Sequence, residues 1–255
     1  MSSARRHAPP LGINQVAIVL GYALSRNLPR LLDRRAQYSR GVRRQRRFIR
    51  DRKAQVEPTT VVTKAWEQVI AVGHRAYWEP RTVLVTGAGP IGLLAALVGK
   101  QRGLDVHVLD RVESGPKPEL VRALGATYHT GNVQGVGFEP DVIVECTGVG
   151  QVNADSIQAL GAGGIVCLTG VGSGGRTTSL STADVAAEMV LRNNVVVGSV
   201  NANKRHWYKA GQVLARADRA WLGRLVTRRE RPEDFAQALE RRNDDIKVVV
   251  QFAEA

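Results

Sequence analysis

Residues 81–109, RTVLVTGAGPIGLLAALVGKQRGLDVHVL, restrict the folds open to this chain more than any other stretch. Residues 82–86 form a short β-branched apolar run, which reads as a buried strand. Gly87, Gly89 and Gly92 then punctuate a turn. Residues 91–101 put Leu93, Leu94, Leu97 and Val98 on one side of a helix that Gly103 stops, and 106–109 is the next strand. Strand, glycine turn, helix and strand make one βαβ unit, which belongs to a sheet with parallel neighbours.

The turn Gly87-Ala88-Gly89-Pro90-Ile91-Gly92 carries chemistry as well as shape. Gly87 allows the sharp exit from the strand. Gly89 lets a pyrophosphate approach the backbone. Gly92 lets the helix pack close to the strand. Pro90 and Ile91 begin that helix, whose free N–H groups and positive dipole end attract phosphate. Asp110 closes the second strand, eighteen residues past Gly92. An acid there accepts hydrogen bonds from ribose hydroxyls and favours NAD, whereas Arg111 beside it, with Lys117 close by, suits the 2′-phosphate of NADP. Both cofactors therefore stay open.

The alternation continues. Helices are predicted over 118–124, 152–160 and 183–192, and strands over 126–128, 141–144, 164–168 and 195–199. The fold class is α/β, a doubly wound parallel sheet of the Rossmann type over 81–200. A linker helix precedes it within 54–80, with Pro58 in its first turn and Gly73 at its stop. A C-terminal segment, 201–255, adds helices over 204–215 and 232–240 and a last strand over 246–252. Two further strand-end loops can receive the nicotinamide ring, one at Thr147 and Gly148, the other at Leu168 and Thr169.

Charge is unevenly placed. Of the net +13, residues 1–53 carry +12, from thirteen Arg and Lys53 against Asp33 and Asp51. A basic surface points to nucleic acid or an anionic membrane, but here the inference reaches only this leader. Little aromatic interleaving accompanies the charge beyond Tyr38 and Phe48. The leader is therefore expected to be a solvated tail, unstructured or partly helical, and nucleic acid is not expected as a partner. The apolar run 11–25 is shorter than the roughly 20 residues that span a bilayer, and no small-residue cleavage site follows it. Cys146 and Cys167 lie in apolar runs without metal-binding spacing, as buried thiols of a reducing compartment do. A cytoplasmic protein without a membrane segment is expected.

The runs VEPTTVVTKAWEQV, RTVLVTGAGPIGLLAAL, GPKPELVRALGATYH, DVIVECTGVG, VGSVNANKRHW and DDIKVVVQF resemble the C-terminal part of microbial glucose 1-dehydrogenases. These enzymes are a branch of the medium-chain zinc-dependent alcohol dehydrogenases. The resemblance covers about 200 residues from Val56 on. It implies oxidation of an aldose at its anomeric carbon, with hydride passing to NAD or NADP and zinc polarising the substrate oxygen. It implies that Glu57 approaches the metal and that Asn201 lies near nicotinamide and sugar. Residues 1–53 match nothing in that family, and His7 is their one metal-binding side chain apart from the two acids. The expectation is thus a chain that binds cofactor yet is catalytically incomplete, with a homo-oligomer admissible. It also implies that the helix over 61–72 is partly bare and that the strand over 246–252 lacks a partner sheet. A non-catalytic NAD(P)-binding module, or nucleic-acid association through the leader, stands as the alternative.

Overall fold

A six-stranded sheet with every strand pair parallel organises the molecule. The computed structural model describes residues 41–172, 178–240, 242 and 244–252, with side chains from residue 54 onward. The basic tract before residue 41, with the run 11–25 and His7, lies outside the described residues.

The first helix of the described residues, α1 (Gly41–Gly73), leads into β1 (Thr82–Thr86), α2 (Pro90–Gln101) and β2 (Asp105–Leu109). Then follow α3 (Pro116–Ala123), β3 (Thr127–His129), a 3₁₀ turn (Val133–Val136) and β4 (Val142–Glu145). The sheet is completed by α4 (Gly150–Gln158), β5 (Ile165–Leu168), α5 (Thr182–Arg192) and β6 (Val195–Gly198). Strand order is β3-β2-β1-β4-β5-β6, so the winding reverses between β1 and β4. This is the doubly wound Rossmann sheet, and the reversal opens a crevice at the carboxyl ends of those two strands. Alternate residues feed two cores. Val83 and Val85 pack with Trp66 and Leu94, while Leu84 packs with Ile143 and Val166 on the opposite face.

The linker helix was expected within 54–80 with Pro58 in its first turn, and this needs correction. Helix α1 begins at Gly41 and carries Pro58 in its interior. Proline there has no N–H for the carbonyl one turn back. The helix nevertheless continues, with the Thr59 hydroxyl donating to the Gln55 carbonyl at 2.5 Å and the Thr60 hydroxyl to the Glu57 carbonyl at 2.6 Å. Glu57 is therefore a mid-helix residue. Nor is the helix bare over 61–72. Val62, Ala65, Trp66 and Val69 are at most 1% exposed. They are covered by α2, β5 and α6 (Lys204–Arg216). The Trp66 indole also donates to the Ala95 carbonyl at 3.2 Å.

The C-terminal segment corrects two further expectations. After α6 come α7 (Arg219–Arg224), β7 (Val226–Glu230), a 3₁₀ turn (Pro232–Asp234), α8 (Phe235–Leu239) and β8 (Lys247–Val250). The single helix expected over 232–240 is thus a 3₁₀ turn followed by a short α-helix. The last strand is not unpartnered, because β8 pairs in parallel with β7. Strand β7 escaped notice because its half-buried positions carry charge. Arg228 bonds Glu230 at 2.9 Å and Asp245 at 2.8 Å, which substitutes ion pairs for the usual apolar alternation. Among the described residues no helix is long and apolar enough to cross a membrane.

Candidate functional site

The crevice between β1 and β4 gathers most of the residues singled out from sequence. Gly87 has φ +90°, a conformation costly for any residue with a side chain. A Cβ on Gly92 would lie 1.7 Å from the Gly87 carbonyl oxygen, so only glycine lets α2 start this close. A Cβ on Gly89 would meet nothing within 4 Å. That openness leaves room for a ligand against the backbone. Gly89 is also the N-cap of α2, with Pro90 in the first turn and no side-chain cap bond. The helix thus presents its first N–H groups, from Ile91 onward, to the crevice without a protein side chain on them.

Asp110 stands behind this turn. Its Oδ2 accepts the Ala88 N–H at 2.7 Å and its Oδ1 the Val112 N–H at 3.1 Å. The Lys117 ammonium lies 3.2 Å from Oδ2. Arg111 is exposed beside it. On β3, burial and then the charge of Asp110 push the Tyr128 hydroxyl up to about 12, and that hydroxyl donates to the Val112 carbonyl.

The loops after β4 and β5 meet each other and the glycine turn. The Gly87 Cα faces the Thr147 methyl, where a Cβ would come within 2.9 Å. Gly148 has φ +67° and backs onto Val171 and Gly172. Thr169 donates its N–H and hydroxyl to the Glu145 carbonyl, at 2.8 and 2.6 Å. Leu168 accepts the Ser199 N–H at 2.9 Å, tying β5 to the end of β6. Asn201 lies just past β6, exposed, in a left-handed conformation with φ +59°. Lys64 of α1 donates to the neighbouring Val200 carbonyl at 2.7 Å. Cys167 is buried and Cys146 partly so. Burial pushes the Cys167 thiol up to about 12 and the Cys146 thiol up as well, which favours the neutral thiol over the nucleophilic thiolate.

Sequence reasoning missed Glu145, which is wholly buried at the end of β4. Its carboxylate accepts the Thr147 N–H at 2.6 Å, the Gly148 N–H at 3.0 Å and the Thr147 hydroxyl. The signal was an acid closing an otherwise apolar strand, VIVE, directly before CTG.

The metal expectation fares differently. Glu57 is half-buried in α1, and its charge partly offsets the burial that pushes the Lys247 ammonium down to about 8. His74 is exposed beyond the helix end. Among the described residues no three His, Cys, Asp or Glu side chains come together as a metal site. Zinc wants three protein ligands and an open position, so the described residues do not fit it.

A doubly wound sheet with this glycine turn at its reversal point places the molecule in the Rossmann dehydrogenase class. Within that class the chain belongs to the family described as "Glucose dehydrogenase C-terminus", whose profile matches residues 52–252. It is 36% identical over 209 residues to the glucose 1-dehydrogenase of Methanocella arvoryzae, covering 77% of this chain and 58% of that protein. Glucose 1-dehydrogenase 2 of Vulcanisaeta moutnovskia is likewise 36% identical, over 205 residues and 58% of its length. The crystal structure of glucose dehydrogenase from Haloferax mediterranei superposes with TM-score 0.74 at 28% identity, over 80% of this chain and 60% of that one. A second structure of that enzyme, in complex with NADP, Zn and gluconolactone, gives TM-score 0.73 at 26% identity, covering 80% of this chain and 59% of that one. The chain thus spans less than two thirds of the relatives it matches.

Proposed function

We propose that this chain binds a nicotinamide dinucleotide in the β1–β4 crevice and serves a glucose 1-dehydrogenase-like hydride transfer, from the anomeric carbon of an aldose to NAD(P). The observation that carries this is the open backbone at Gly89, set between a turn that only Gly87 can make and a helix start that only Gly92 can approach. The N–H groups of Ile91 and Gly92 would meet the pyrophosphate. Asp110, Lys117 and Arg111 would meet the adenosine ribose. Thr147, Gly148, Leu168 and Thr169 would flank the nicotinamide, and Asn201 would face nicotinamide and sugar. In this reading residues 81–200 are the cofactor unit, 54–80 a linker helix and 201–255 a return segment. The bound dinucleotide supplies the hydride acceptor, and the protein orients it and excludes water from it.

No step is assigned to zinc, since the described residues do not assemble a site for it. Glu57 by itself is one ligand, short of the three that zinc needs. That arrangement favours a chain that holds the cofactor but turns over little or no sugar unaided, or a purely NAD(P)-binding module. Titration calorimetry with NADP+ and NAD+, followed by a glucose oxidation assay in zinc, tests both halves. Saturable dinucleotide binding without turnover supports the proposal. Absence of binding by folded protein defeats it, and brisk zinc-dependent glucose oxidation by the chain defeats its second half.

A further inference from the structure

Glu145 lies wholly buried in the carboxyl-end layer of the sheet, and no ion pair to it is found among the described residues. A buried carboxylate without a cation is costly unless hydrogen bonds replace its water. Here they do. Besides the Thr147 and Gly148 N–H groups and the Thr147 hydroxyl, Oε1 lies 3.4 Å from the Thr86 hydroxyl, at the strand end that leads into Gly87. The far oxygen takes the Gly148 N–H at 3.2 Å and faces Gly170, where a Cβ would come within 2.7 Å. The carbonyl of Glu145 receives the N–H of Gly170 at 3.0 Å in addition to both Thr169 donors. One residue therefore contacts the strand end before the glycine turn and both loops that follow it across the reversal point.

We infer that Glu145 is a positioning residue for the nicotinamide half of the dinucleotide site, acting through Thr147, Gly148 and Thr169 without touching the ligand. This rests on the dinucleotide reading above. The adenosine half is held by a different set, centred on Gly89 and Asp110, which Glu145 does not contact. Loss of the carboxylate charge loosens the 146–148 loop while leaving the glycine turn its own bonds, such as Gly87 N–H to the Leu109 carbonyl at 2.7 Å.

The test compares whole and truncated ligands on the full chain. NADP+ is titrated against 2′-phospho-ADP-ribose, which lacks nicotinamide, and NAD+ against ADP-ribose. Glu145→Gln is expected to weaken the nicotinamide-bearing ligand of each pair about tenfold, the scale of one charge-assisted hydrogen bond, and the truncated ligand less than about twofold. Should Glu145→Gln fold poorly, Glu145→Asp, which keeps the charge but shortens its reach to the Thr147 and Gly148 N–H groups, should give the same selective loss. Equal losses for both ligands of a pair, or none, overturn the inference while leaving the dinucleotide site intact. Wild-type protein that binds truncated and whole ligands equally overturns it too. Wild-type protein that binds none of the four overturns the dinucleotide reading itself, and the inference falls with it.

Discussion

The Lys117 ammonium and the Asp110 carboxylate pair at 3.2 Å, with only 12% and 10% of their side chains exposed. Lys117 thereby offsets the charge that would repel a 2′-phosphate, and two backbone N–H groups already occupy the carboxylate oxygens. Those bonds leave the carboxylate fewer free lone pairs for a ribose diol. NADP+ is expected to bind more tightly than NAD+. Lys117→Met should cut NADP+ affinity about tenfold or more while leaving NAD+ nearly unchanged. Dissociation constants for both cofactors with both proteins check this, and an unchanged ratio refutes it.

Gly89 and Gly92 should respond in opposite ways to the same added methyl. Gly92→Ala forces a carbon against the Gly87 carbonyl and is expected to destabilise the fold by about 1–3 kcal/mol or more. Gly89→Ala has open space and an extended backbone (φ −81°, ψ −175°), so stability should hold within about 0.5 kcal/mol while dinucleotide binding collapses. Thermal unfolding and titration on the two variants decide the matter. Normal binding by Gly89→Ala would place the ligand elsewhere.

Stability should fall as the medium is acidified below neutrality. His129 is held below its ordinary value of 6.5 by burial and then by His107, whose Nδ1 lies 2.7 Å from His129 Nε2. His206 is lowered too, burial again being the main cause. Unfolded chains take up protons near pH 6.5 that the folded chain resists, so stability present above that pH is lost as pH falls through the folded values. The urea midpoint is expected to drop between pH 7.5 and 5.5, and to drop less in His129→Phe. Identical midpoints at the two pH values would rule this out.

Trp66 anchors α1 to the sheet, fully buried, with its indole on the Ala95 carbonyl and Arg102 5.4 Å above its ring. Trp66→Ala should cost about 3–5 kcal/mol, read from denaturant midpoints. A loss under about 1 kcal/mol would mean that α1 contributes little to the core.

The central βαβ unit was legible because each local signal agreed. Val83–Val85 are β-branched or apolar, Gly87–Gly92 mark the turn, and Leu93–Val98 keep a helical stripe that the core does bury. Legibility failed where a contact between distant residues replaced a local rule. Pro58 reads as a first-turn residue, yet the helix runs through it and packs along α6 and α2. Arg228 and Glu230 break the apolar alternation that marks a strand, yet they satisfy one another inside β7. Glu145 stood out only as an acid closing an apolar strand, and the positions of Thr147 and Gly148 reveal its task.

Helix α1 is bound to residues far along the chain. The Thr63 hydroxyl reaches the His206 carbonyl across a separation of 143 residues. During synthesis, at about 5–20 residues per second, the α6-facing side of α1 therefore waits on the order of ten seconds for its cover. Through that interval the nascent chain leaves the apolar side of α1 without its α6 cover, so the chain has to be made as far as Arg216 before that surface is sealed.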